Sequence, residues 1–215
     1  MAILAGRHHL GTDRGRIVLT TARDGLAAQA GHDLTIEAAR WSGELVVGDD
    51  LAPASLDVQV DLGALVVKTG TGGVKPLSDR DKREIAVTAR KVLAADRHPE
   101  ATFSASNFEA AAGGGGIITG TLTLAGRSRP LRLAISQPQP GEYRATASVT
   151  QTDFGIKPYS GFLGALKVRD SIGVQVEISL PDSDQPGTAG TGSAPAEAAS
   201  PEGANPEGGA AGDPE

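Results

Sequence analysis

The sequence predicts an antiparallel all-β domain followed by a tail that does not fold with it, and three observations carry this. Apolar and polar residues alternate at period two through most of the first 180 residues. Turn residues punctuate the alternating runs. From Pro181 onward no Leu, Ile, Val or aromatic residue occurs. Successive side chains of a strand point to opposite faces, so an alternating run describes a half-buried strand, the kind found in antiparallel sheets.

Ile17 and Leu19 open the series. The stretch from Asp33 to Val47 predicts two strands turning near Trp41 to Gly43, with Leu34 and Ile36 inward on the first. The clearest run is Leu56, Val58, Val60 and Leu62, interleaved with Asp57, Gln59 and Asp61. Phe103 and Ala105 mark a strand after Pro99. Ile118, Leu122 and Leu124 form another, which turns at Gly126 and pairs with Leu131, Leu133 and Ile135. Tyr143, Ala145, Ala147 and Val149 follow, and Ile172 to Leu180 closes the series, for eight or nine strands in all. Between Ser78 and Ala94 the period changes: Ile85, Ala89, Val92 and Leu93 share one helical face, and Ser78 with Asp81 has capping-box spacing. Strands with one apolar face must close or stack, and alternation alone does not separate a barrel from a sandwich.

The tail reads PDSDQPGTAGTGSAPAEAASPEGANPEGGAAGDPE and has too little apolar surface to offset the entropy of ordering, so disorder is expected from residue 181 to 215. Its acids are Asp182, Asp184, Glu197, Glu202, Glu207, Asp213 and Glu215, with no Lys or Arg. Setting these seven aside leaves 19 acidic against 20 basic residues, so the net charge of −6 belongs to the tail. A near-neutral domain with an acidic tail disfavours nucleic acid as a partner. Cysteine is absent, which removes disulfides, thiolate metal sites and cysteine nucleophiles together. No run approaches the roughly 18 apolar residues of a membrane-spanning helix. The start MAILAGRHHLGTDRGR lacks an export-type apolar stretch, so residues 1–14 are expected as an extension and the protein as cytoplasmic.

Candidate sites are few. His8, His9, His32 and His98 have no metal-ligand spacing, and no metal or cofactor is expected. His32 stands beside Asp33 without a nucleophile elbow, and its simpler role is to cap a barrel mouth through backbone hydrogen bonds. The glycine runs Lys68 to Gly73 and Gly113 to Gly116 lack the P-loop lysine, and both read as loops. The stretch Asp153 to Leu163 is unusually apolar for a connection and carries Phe154, Tyr159 and Phe162. It reads equally as a satellite core under a loop or as a lid on an apolar cavity.

Several segments, taken in order, resemble the YceI-like family of lipid-binding barrels: Ser78-Asp79-Arg80-Asp81 before the helix, His98-Pro99-Glu100-Ala101-Thr102-Phe103-Ser104, the hairpin from Gly120 to Leu131, Asp153-Phe154-Gly155-Ile156, and Val168-Arg169-Asp170-Ser171-Ile172. The resemblance covers roughly Gly15 to Leu180. It implies an eight-stranded antiparallel lipocalin-like barrel over 15–180 with one helix and an elongated apolar cavity. By that resemblance the cavity wall would include Ile17, Leu19, Leu34, Ile36, Val58, Val60, Phe103, Leu122, Leu124, Leu133, Tyr143, Phe154 and Phe162. The expected partner is an apolar or isoprenoid lipid, held without covalent chemistry and without stable membrane insertion, with a homodimer left open. The competing expectations are a filled barrel acting as an interaction or stress-associated module, and an enzyme using His32 with Asp33 or Arg129.

Overall fold

The structure, a computed structural model, describes residues 3–111 and 115–180. The expected disordered tail at 181–215 and part of the Gly113 to Gly116 run lie outside the described residues. In chain order the strands are β1 (Gly6–Gly11), β2 (Gly15–Thr20), β3 (Arg23–Asp24), β4 (His32–Ala38), β5 (Trp41–Val47), β6 (Pro53–Asp61) and β7 (Leu65–Gly72). After the helix α1 (Asp79–Val92) come β8 (Glu100–Ala110), β9 (Gly116–Leu124), β10 (Arg127–Gln139), β11 (Glu142–Thr150), β12 (Ser160–Gly161), β13 (Leu166–Val168) and β14 (Ser171–Ser179).

Eleven strands form one curled antiparallel sheet in the order β1-β5-β6-β8-β9-β10-β11-β14-β2-β4-β7. The strands at the two ends of this order are halves of bent segments. β1 runs on into β2, β4 into β5 and β6 into β7, each through a corner of two to three residues. The ladder continues round the corners, with Ala39 N–H donating to Ala64 O at 2.9 Å and Asp61 N–H to Arg40 O at 3.1 Å. Counted through the corners there are eight segments, and their pairings return from β14 to β2, so the sheet wraps round one interior.

The two strands expected between Asp33 and Val47 are present, but the chain turns at residues 39–40 rather than near Trp41 to Gly43. β4 and β5 do not pair with each other, because the chain bends at residues 39–40 and both halves stay between the same neighbouring segments. The structure also places two stretches that looked structureless. The expected extension contains β1, which pairs with β5, and its Leu10 is buried. Most of the Lys68 to Gly73 run is the end of β7, paired with β4 from Leu65↔Ala38 to Gly72↔His32. Gly70 lies so close beneath Leu77 that a Cβ there would be 2.4 Å from Leu77 Cδ1. The glycines therefore serve close packing inside a ladder, and nothing in composition separates that use from a loop.

The helix forms as its sequence predicts. Asp81 N–H donates to Ser78 Oγ at 3.2 Å, and Ser78 N–H returns a bond to Asp81 Oδ2 at 2.9 Å. α1 lies against β7, with Ile85, Ala86 and Leu93 packed on the main core. A small sheet, β12-β13-β3, is continued by the bond from Arg169 N–H to Ala22 O at 2.8 Å, which links the β13–β14 connection to the β2–β3 connection.

Candidate functional site: an apolar cavity inside the sheet

The inward-facing side chains leave a cavity of about 530 Å³. Its wall is drawn from the large sheet, from Leu10 on β1 and Ile17 and Leu19 on β2 round to Val174, Val176 and Ile178 on β14. Among the lining residues only Trp41, Glu109, Tyr143 and Gln151 bear polar side-chain groups; the others are aliphatic, Phe, Pro or Gly. A wall this apolar follows from the alternation, since each strand sends every second residue inward and those residues are nearly all Leu, Ile, Val or Ala.

The two ends differ. At one end the lining residues are Ala52 and Pro53 from the β5–β6 turn and Glu109, Ala110 and Gly116 from the β8–β9 hairpin. Ala52, Glu109 and Ala110 are exposed, which makes this the mouth. At the other end Leu62, Ala101, Leu124, Val149, Gln151 and Ile156 are buried. Most of these belong to a second apolar cluster with Ala95 and Phe154, against which Val92 of α1 and Leu93 just after it also pack. Gln151 is held there by backbone, its Nε2 donating to Arg169 O at 3.0 Å and its N–H to Asp170 O at 3.0 Å. Gly155 turns the chain from the 3₁₀ turn Gln151–Phe154 at φ 71°, so that Ile156 reaches the floor.

Of the residues expected on the wall, Ile17, Leu19, Val58, Val60, Phe103, Leu122, Leu124, Leu133 and Tyr143 border the cavity. Four do not. Leu34 and Ile36 pack in the core of the β4–β7 ladder beyond its reach. Phe154 is buried in the second cluster, the satellite-core role rather than the lining one. Phe162 is 71% exposed and points away from the interior, because the loop that carries it joins β12 and β13 rather than folding over the mouth. Leu10, Trp41, Leu45, Ile118, Ile135, Val174, Val176 and Ile178 were missed as wall residues. The alternation of β14 signalled the last three; Leu10 lay in the stretch read as an extension.

Apart from Glu109, exposed at the mouth, the polar groups near the cavity are engaged in structure or shielded. Tyr143 Oη accepts from Gln137 Nε2 at 3.1 Å. Trp41 is 7% exposed, and its indole Nε1 is buried without a hydrogen-bond partner among the described residues. His32 lies outside the wall, its Nε2 2.8 Å from Lys75 O, while Asp33 accepts from Arg23 N–H at 2.8 Å. The pair is thus spent on tying β4 to its neighbouring loops. Among the described residues no group of His, Asp and Glu is arranged to hold a metal, and no helix is long and apolar enough to cross a membrane.

Comparison with solved structures finds the same fold. Burkholderia cenocepacia BcnA is similar at 15% identity, over 76% of this chain and 94% of that one, with a TM-score of 0.57. The Campylobacter jejuni YceI protein is similar at 16% identity, over 68% of this chain and 85% of its own, with a TM-score of 0.48. No curated protein matches the chain. The model of the YceI-like domain matches residues 19–180, from the last two residues of β2 onward, and the chain belongs to the YceI-like family.

Proposed function

We propose that this protein is a non-catalytic carrier or store for an isoprenoid or similar amphiphilic lipid, whose apolar chain lies in the cavity. The observation that carries the reading is the cavity itself, about 530 Å³ walled almost wholly by aliphatic side chains. That size lies within the roughly 300–1,000 Å³ of small-molecule sites. Each methylene moved from water into such a wall contributes about 0.8 kcal/mol, so a chain of ten or so carbons binds without any ion pair. The exposed mouth leaves room for a polar head group in water while the chain is sheltered. Among the described residues the wall carries no nucleophile paired with a base, which supports binding without covalent chemistry. A hollow interior weighs against the filled-barrel module, and the engagement of His32 with Lys75 weighs against an enzyme built on it.

The test is native mass spectrometry of the purified full chain, then organic extraction and loading with long-chain prenols and quinones. A co-purifying or loadable lipid of that class supports the carrier. A protein that stays bare after loading overturns it. Fractionation of the source cells tests the cytoplasm as the working compartment.

A further inference from the structure

The small sheet carries a feature that the cavity does not explain. Leu26 is 100% exposed, Phe162 71% and Leu163 109%, and all three stand on two loops held together at one end of the molecule. The first loop follows β3 and the second joins β12 to β13. They are bound where Ala27 N–H donates to Ala165 O at 2.8 Å, with Gly25 packed against the same carbonyl. Phe162 and Leu163 both adopt left-handed backbone, at φ 49° and 54°. Neither is glycine, and bulky residues rarely take that conformation, so two strained residues together present large apolar side chains to solvent.

The rim of this tip is basic. Lys157, Lys167 and Arg169 are exposed, and none has an ion pair among the described residues. Asp24, opposite Lys167 across β3 and β13, turns its carboxylate onto Gly25 N–H at 2.7 Å. Asp170, beside Arg169, accepts from Thr152 N–H at 2.9 Å, so along this rim three basic side chains without an ion pair among the described residues stand against two hydrogen-bonded carboxylates.

We propose that this tip docks on a lipid bilayer whose surface carries anionic head groups. Three side chains bury roughly 500 Å² at most, below the ~1,000 Å² of a specific protein interface but enough for reversible insertion of apolar fingers between head groups. The lysines and Arg169 then meet lipid phosphates, as basic side chains do beside interfacial anchors. Docking is peripheral and independent of the cavity reading, because none of these residues lines the cavity.

The experiment is co-sedimentation of the full chain with vesicles of phosphatidylcholine alone and of phosphatidylcholine mixed with phosphatidylglycerol, at low and high salt. The wild type is expected to sediment with the mixed vesicles at low salt. The triple variant Leu26→Ser, Phe162→Asn, Leu163→Asn should lose about tenfold or more of that binding. Asn accepts left-handed backbone, so this variant keeps its fold and melting temperature. The pair Lys157→Glu, Lys167→Glu should reduce binding to that seen with phosphatidylcholine alone. A Leu122→Asp variant with its cavity disabled should sediment like the wild type, which separates this proposal from the lipid-carrier reading. A wild type that stays in the supernatant with both vesicles overturns the proposal, as does a triple variant that sediments normally. A dimer that forms without vesicles and is lost in the triple variant also overturns it, making the occupant a second copy.

Discussion

Arg16 Nε donates to Glu177 Oε2 at 2.6 Å across the pairing of β2 with β14, the ladder that joins the first long strand to the last. Arg144 on β11 approaches the other carboxylate oxygen at 3.0 Å, and Gln175 Nε2 donates to it at 2.8 Å. Arg16, Glu177 and Arg144 are direct register partners on three adjacent strands. Opposite charges placed face to face across a ladder favour one register over a slip by one residue, which would turn every side chain to the wrong face.

The hydrogen bond from Arg16, followed by those from Gln175 and Arg144, holds the Glu177 carboxyl below its ordinary value of 4.5. A group whose folded pKa is depressed stabilises the fold above its unfolded pKa and loses that contribution as pH falls through the folded value. Stability should therefore decline below about pH 4.5. Glu177→Gln should lower the melting temperature at pH 7 and flatten its fall in acid. Melting curves of both proteins between about pH 3 and 7 read this directly.

Filling the cavity should separate binding from folding. Ala145 borders the cavity, and a phenylalanine there takes up space without adding a polar group. Ala145→Phe is expected to keep its melting temperature within about 5 °C and to lose most of its capacity for a long-chain prenol. Leu122→Asp places a charge on the same wall and should abolish loading, with circular dichroism confirming a folded chain.

The capping box of α1 contributes in the ordinary way. Ser78→Ala removes the acceptor for Asp81 N–H and should cost about 1 kcal/mol in chemical denaturation. Because Leu93, at the C-terminal end of α1, lines the wall, the variant should also release bound lipid faster.

Gly155 is the turn that seats Ile156 on the cavity floor. An alanine at φ 71° is strained by about 1–2 kcal/mol, and its Cβ would meet the Arg127 guanidinium at 2.6 Å. That contact is with the far end of a flexible side chain, so the backbone sets the cost. Gly155→Ala should lower stability by about that amount in urea denaturation.

The parts of the fold legible in the sequence are those that depend on local pattern. The runs at Leu56 to Val60 and Ile172 to Ile178 became β6 and β14, and the helix begins at the expected serine. Nine expected wall residues reached the cavity because an inward position on a regular strand stays inward. The failures share a cause: each depended on a partner distant in the chain. β1 is a strand because β5 lies beside it, and β7 keeps its glycines because Leu77 and His32 need the space.

The sequence by itself determined the strand class, the single capped helix and the apolar face of the sheet, since period and capping act within a few residues. Only the tertiary structure decided that the three corners let eight segments wrap round one interior. It alone decided that Phe154 packs under the floor while Phe162, eight residues on, stands in solvent. Two aromatic residues in one apolar loop look alike to any local rule, and their fates part because the β3–β13 pairing pulls one of them away from the core.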